Sequence, residues 1–289
     1  MTRHIIVADA GGTSCRWAVT GTETEYITTP GFNASVSPDE AIAASVGELA
    51  DSLDRLGVTP GAIFFYGAGS HTPQGRERVI KALRARLGDI HVECESDLLG
   101  AARALHGDRP GVTCILGTGA NAGVYDGSKV ERAVAPLGYI LGDEGSGAWL
   151  GKTFLQKLLR GQFPPEVTEH FHRLSDLDES AVIERVYRRP GANTFLGSLC
   201  PIINELAVYP SVGNMIVKAF KAFRSSLGQP AIDRLMQHTA STRRPAVGFV
   251  GSVAHHFAPR LTEVFADCDT LILADPLPRL AAWHASRHH

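Results

Sequence analysis

Apolar and polar positions along this chain switch between two periods, and the whole series of switches occurs twice. Residues 4–9, 15–20 and 24–29 are short apolar-rich runs parted by turn residues, and they predict three consecutive strands. Over 38–56 the spacing becomes helical, with Ala41, Ile42, Ser45, Val46, Leu49, Leu53 and Leu56 on one face. Pro38, Asp39 and Glu40 suit the first turn of that helix. Proline has no N–H to leave unpaired there, and acids favour the positive helix end. A strand at 61–66, a helix at 74–87, a strand at 89–94 and an alanine-rich helix from Ser96-Asp97 to about Leu105 complete the first series.

The series restarts at Val112. Strands at 112–117, 121–126 and 129–134 copy the first three. Helices are predicted at 146–160, 178–187, 194–208, 211–227 and 229–240. A strand at 246–250, a helix at 252–266 and a strand at 269–274 close the repeat, and a last helix near 278–287 is expected to cross back to the first half. The order β-β-β-α-β-α-β-α is thus given twice, with helical insertions in the second copy. It implies an α/β fold with mixed sheets covered on both faces. The turn-rich stretch at 106–111 marks the boundary.

Each series opens on a glycine hairpin. Asp9-Ala10-Gly11-Gly12-Thr13 follows the apolar run Ile5-Ile6-Val7-Ala8, and Gly117-Thr118-Gly119 follows Val112 to Leu116. A strand, a glycine turn and a returning strand gather backbone N–H groups where no side chain intrudes, which suits a phosphate. Either turn alone would also serve as an ordinary tight hairpin. Two of them suggest a nucleotide held between duplicated halves.

The composition sets limits on partners. The 289 residues carry 28 Lys and Arg against 30 Asp and Glu, a net charge of −2. That balance argues against nucleic acid or an anionic membrane as the main partner, and no apolar run approaches the ~20 residues of a membrane span. The five cysteines include no Cys-x-x-Cys pair, so a zinc knuckle or iron–sulfur site is not expected. The odd count fits a reducing cytosol. Oligomeric state stays open, a homodimer included.

The segments DAGGTSCRW (9–17), PGFNAS (30–35), ESDLLGAA (95–102), LGTGANAG (116–123), GYILGDEGSGAWLG (138–151) and VGFVGSVA (247–254) stand in a recognisable order. In them the chain resembles the BadF/BadG/BcrA/BcrD-type ATPases and the N-acetylglucosamine kinases, within the actin, sugar-kinase and Hsp70 superfamily. The resemblance implies duplicated ribonuclease-H-like (actin-like ATPase) domains with an interlobe cleft. The first lobe would take residues 1–110 with the C-terminal helix within 276–289, and the second 111–275.

The resemblance also implies roles. Gly11, Gly12 and Thr13 would meet the phosphates of ATP, with Asp9 holding Mg2+ through water. Gly117, Thr118 and Gly119 would form the second phosphate loop, and Gly251-Ser252 would lie against adenosine. Asp97 would be the general base that accepts a hydroxyl proton, although Ser96 or Asp97 would also serve as a helix cap. Asn33, Asn121 and Asp143 would hold the sugar. The Gly142–Gly147 stretch equally suits a helix cap, and a direct role for Glu144 stays open. His255-His256 are not expected to bind metal, since neighbours on a helix point apart. Arg279 departs from the family, whose members usually show Gly there. The cluster cysteines of the dehydratase-activator branch and the His/Cys zinc cluster of another sugar kinase family have no counterpart. The expected activity is ATP- and Mg2+-dependent 6-phosphorylation of N-acetylglucosamine or N-acetylmuramic acid in the cytoplasm. A glucosamine kinase, an ATPase driving a partner enzyme and a non-catalytic sugar or nucleotide sensor are the alternatives.

Overall fold

A computed structural model describes residues 4–239 and 243–287. Ala240, the last residue of the helix predicted at 229–240, lies outside the described residues, as do the first three residues of the expected first lobe and the last two of the segment 276–289. The chain divides into two units. Unit one runs through Arg109 and takes in Gly127–Lys129 and the chain from Asp275 onward. Unit two holds Pro110–Asp126 and Val130–Ala274.

Unit one is built on β1 (His4–Ala10), β2 (Ser14–Val19), β3 (Glu25–Pro30), β4 (Pro60–Gly67) and β5 (His91–Ser96), in the order β3-β2-β1-β4-β5. The three leading strands form an antiparallel meander, and β4 and β5 join β1 in parallel. Parallel neighbours need crossover helices, and α1 (Asp39–Leu56), α2 (Pro73–Leu87) and α3 (Asp97–His106) provide them. Strand alternation sends Ile6, Ala8 and Ala10 to one face, where they pack with Trp17, Phe65 and the Ile42, Val46, Leu49 stripe of α1. Val7 and Asp9 take the other face, which α3 and the helix Leu277–Ala285 cover. That last helix is fixed by His284, buried and stacked on Phe64 with ring centroids 3.9 Å apart. His284 Nε2 also pairs with Tyr66 Oη at 2.8 Å.

Unit two repeats the plan with β6 (Gly111–Leu116), β7 (Ala120–Tyr125), β8 (Val130–Glu131), β9 (Ala246–Val250) and β10 (Asp269–Leu273), in the order β10-β9-β6-β7-β8. β6 and β7 are antiparallel, as are β7 and β8, while β9 pairs in parallel with β6 and β10 with β9. The predicted strand at 129–134 shrinks to two residues, since only Val130 and Glu131 pair with β7.

The insertion helices differ more from their predicted bounds. A helix at Pro165–Leu174 is not foreseen by the sequence reading, because Pro164-Pro165 looks like a breaker and acts as a helix start. The predicted 194–208 helix breaks into Ala192–Gly197, Cys200–Glu205 and a single turn at Leu206–Val208, and the predicted 252–266 helix breaks at Phe257 before Pro259. Gly147–Leu159 packs against Ala192–Gly197 so closely that a β-carbon at Gly151 would collide with the Leu196 carbonyl. We therefore expect Gly151→Ala to destabilise the protein by about 1–3 kcal/mol in urea unfolding. The alanine gains roughly 1 kcal/mol of helix propensity, but a backbone carbonyl has no rotamer by which to yield, so the collision outweighs the gain.

Candidate active site

Register brings distant segments of unit one to a single sheet edge. Ala10 pairs with Gly67, and Gly67 with Ser96. The parallel strands β1, β4 and β5 therefore end level, and the hairpin tip, the turn after Gly67 and Asp97 all follow at that edge. The Gly11 N–H donates to Ser14 O at 2.9 Å, and the Gly31 N–H donates to Thr13 O at 3.1 Å. A side chain at Gly31 would strike Gly11 and Ser14 backbone, so glycine is needed for β3 to seat against the hairpin. Gly11, Gly12 and Thr13 are left exposed at the tip.

Asp9 lies opposite Arg16 in the β1–β2 pairing. Arg16 Nη1 in turn binds Asp275 Oδ2 at 2.6 Å, and Asp275 Oδ1 accepts from the Leu277 N–H at 3.1 Å, at the start of the last helix. Ser96 caps α3 by accepting from the Leu99 N–H. Asp97 is thus the first helical residue rather than the cap, and its Oδ1 accepts from the Leu98 N–H at 2.8 Å. Burial, then the charges of Asp97 and Asp275, push the Asp9 carboxyl up to about 7, against the opposing pull of Arg16. Asp275 escapes the sequence reading because its partner stands at the other end of the chain.

Asn33 lies in the loop between β3 and α1. Its Oδ1 accepts from the Ser35 N–H at 3.0 Å and its N–H donates to Ser37 Oγ at 2.9 Å. Gly69 packs directly against that Oδ1, in a left-handed conformation with φ 80°. The carbonyl side of the Asn33 amide is therefore committed within the protein, which leaves the Nδ2 group as its donor toward a ligand.

In unit two the second hairpin is closed by the Gly117 N–H donating to Gly119 O at 3.0 Å. Its carbonyls receive the start of the helix Gly147–Leu159: Gly147 N–H donates to Gly117 O at 2.8 Å and Ala148 N–H to Thr118 O at 3.1 Å. Ser146 caps that helix through the Trp149 N–H. Ile115 and Asn121 face each other two steps from the turn, with Asn121 Oδ1 buried and without a hydrogen-bond partner. Asp143 has φ 58°, the left-handed region that an Asp tolerates better than most residues. Its carboxylate lies against Gly119 and accepts from the Ala120 N–H. Burial raises the Asp143 pKa, with Glu144 adding to the rise and the Ala120 N–H and Lys152 opposing it. Glu144 itself accepts from Ser226 Oγ at 3.1 Å.

A cavity of about 530 Å³ opens beside this hairpin. Gly117, Thr118 and Ser252 line one side, and Ser198, Cys200 and Asn204 of the insertion helices line another. Gly251, with φ 110°, sits where any side chain would strike the Leu116 carbonyl. Two segments marked in the sequence, the hairpin and Gly251-Ser252, thus meet at one cavity. Its far wall is missed in the sequence because no local motif marks it. His256 also lines the cavity, but among the described residues no group of three or more His, Cys, Asp or Glu side chains is placed to hold a metal. Arg279 is exposed on the last helix, and no helix among the described residues is long and apolar enough to cross a membrane.

No family model matches the chain, and no curated protein does. Solved structures do match. A Porphyromonas gingivalis protein assigned as an N-acetylglucosamine kinase is 33% identical, covers 99% of this chain and 100% of its own, and superposes with a TM-score of 0.85. A Chromobacterium violaceum protein with the same assignment is 19% identical over 97% of this chain and 98% of its own, with a TM-score of 0.71. A Streptomyces griseus ROK-family glucokinase, solved with glucose and AMPPNP, is 18% identical over 98% of both chains at 0.61. The last two likenesses bear on the fold alone.

The raised Asp9 carboxyl has a stability consequence. The unfolded chain loses this proton near the ordinary value of 3.8, while the folded protein holds it until about 7. Folded stability therefore falls as pH rises through that window, and the cost is complete above it. Asp9→Asn removes the cost. We expect the variant's Tm to exceed that of the wild type by several degrees at pH 8, roughly 2–4 °C per kcal/mol, with the difference shrinking toward pH 4. Thermal melts across that range check it.

Proposed function

We propose that this chain, which belongs to the family of BadF/BadG/BcrA/BcrD-type ATPases and N-acetylglucosamine kinases, transfers the γ-phosphoryl group of ATP to the 6-hydroxyl of an N-acetylated amino sugar. The observation that carries the reading is the division of labour at the start of α3. Ser96 caps α3 through the Leu99 N–H, and Asp97, whose Oδ1 accepts from the Leu98 N–H, stands at the sheet edge that carries the exposed hairpin and Asp9.

Phosphoryl transfer asks a protein for positioning and charge neutralisation more than for covalent chemistry. Gly11, Gly12 and Thr13 offer exposed backbone and a hydroxyl to the phosphates from unit one. Thr118, exposed between the half-buried Gly117 and Gly119, marks the second phosphate loop, and the cavity past Ser252 takes the adenosine. Asp97 orients the sugar hydroxyl and accepts its proton as the new O–P bond forms and the bond to the β-phosphate oxygen of ADP breaks. Asn33 donates through Nδ2. Asp143 and the buried, unsatisfied Asn121 Oδ1 offer acceptors to sugar hydroxyls.

Asp9, with the carboxylates of Asp97 and Asp275 nearby, offers hard oxygen donors of the kind that suit Mg2+, and Asp9 would hold the ion through water. When bound, it supplies charge neutralisation to the ATP phosphates. Burial, then the charges of Asp97 and Asp275, lift the Asp9 carboxyl, and Arg16 is the cation opposing that rise. Five free thiols, four of them buried, support a reducing compartment such as the cytosol.

Incubation with ATP and a panel of hexosamines tests the reading. ADP release that depends on an N-acetylated hexosamine supports it. Release without sugar points to an ATPase, and tight binding without release to a sensor. Asp97→Asn is expected to lower kcat by about 10²- to 10⁴-fold with little change in nucleotide KM, the range for loss of a general base. Turnover within tenfold of wild type would remove Asp97 from that role.

A further inference from the structure

We infer that Arg78 is a positioning residue for the amino sugar, acting through the loop that carries Asn33. The inference rests on the proposed contact between Asn33 and the substrate. Arg78 projects from α2 and makes three hydrogen bonds to the stretch that follows Asn33. Nη1 donates to Ala34 O at 2.6 Å, Nη2 to Ser37 O at 2.5 Å and Nε to Asp39 Oδ1 at 2.7 Å. Only a guanidinium presents that many donors in one fixed plane.

The rest of the loop needs such a clamp. Phe32 and Ala34, on either side of Asn33, are fully buried. Phe32 stacks on Phe65, with centroids 5.6 Å apart and planes at 9°, and the Ala34 N–H donates to Ala68 O at 2.8 Å. Beyond Ala34 the chain turns back on itself, with the Val36 and Ser37 N–H groups donating to Asn33 O. Ser35 and Val36 are exposed, and on the inner side the turn is tied by Ser35 Oγ, which donates to Gly69 O at 2.8 Å and lies 3.4 Å from Thr72 Oγ1. Arg78 closes it from outside by taking the two carbonyls that flank it. The ion pair with Asp39 adds little, because the Asp39 side chain is 79% exposed. The two carbonyl bonds hold the outer side of the turn.

Steady-state kinetics on Arg78→Ala, Arg78→Lys, Asn33→Ala, Asp39→Asn and the Asn33→Ala/Arg78→Ala double variant test the inference. Arg78→Ala is expected to raise the KM for sugar about tenfold or more, as small displacements of substrate-orienting groups do, while the KM for ATP stays within about twofold. Arg78→Lys, which keeps the charge but cannot span both carbonyls, should fall between wild type and alanine, and Asp39→Asn should stay near wild type. In the Asn33→Ala background the Arg78 substitution should add less than about twofold, because both act through one contact. Two results overturn the inference while leaving Asn33 in place: an unchanged sugar KM in Arg78→Ala, or effects that multiply in the double variant. An unchanged sugar KM in Asn33→Ala overturns the reading it rests on, and the inference with it. If Arg78→Ala fails to fold, the lysine variant alone and in the Asn33→Ala background gives the same comparison.

Discussion

Parallel pairing around the central strand governs this structure. β1 and β6 each lie between an antiparallel neighbour, reached by a glycine hairpin, and a parallel neighbour, reached through a helix. A hairpin leaves its strand at the carboxyl end, and parallel strands end on the same side. Backbone turns, helix starts and loose strand ends are therefore collected along one edge of each sheet, where open α/β sheets present their ligand sites. Asp97 comes level with the first hairpin for this reason alone, as does Ser252 with the second. No side-chain contact between the segments has to be arranged to bring them together.

The two copies use that shared edge differently, and the difference comes down to one register position. Asp9 and Arg16 face each other across the first hairpin, while Ile115 and Asn121 occupy the matching position in the second. The first copy thus gathers charge: Asp9, Asp97 and Asp275 converge, with Arg16 among them. The second copy is neutral there, and the carboxylate lying against its turn, Asp143, accepts from a backbone N–H and is itself in the left-handed region. Charge crowding and backbone strain both cost folding free energy, and both fall at the edge to which the sheet topology already directs ligands.

Much of this was legible in the sequence because the signals are local. Glycines after apolar runs mark the hairpins, Ser96-Asp97 marks a helix start, and Gly251-Ser252 follows a short buried strand. Signals that depend on pairing across the chain are silent in such a reading. Asp275 looks like one acid before a proline until Arg16 is beside it. The cavity wall at Ser198, Cys200 and Asn204 comes from helices whose break at Ser198-Leu199 does not show in the periodicity. Asn33 shows a subtler gap. The sequence marks the residue, but only the bond from Ser35 shows which end of its amide is available.

The helix Leu277–Ala285 belongs to unit one, though the whole of unit two is synthesised before it. At a translation rate of about 5–20 residues per second, the roughly 170 residues between Arg109 and Leu277 take on the order of ten to thirty seconds to make. During that time the face of the first sheet that bears Phe64 and Tyr66 has emerged without the helix that buries it. The second unit is not complete much earlier, since its last strand, Asp269–Leu273, ends only four residues before that helix begins. The first unit, begun first, therefore waits for its last helix through the whole synthesis of the second, with α3 alone on that aromatic face until the His284 ring arrives to close it.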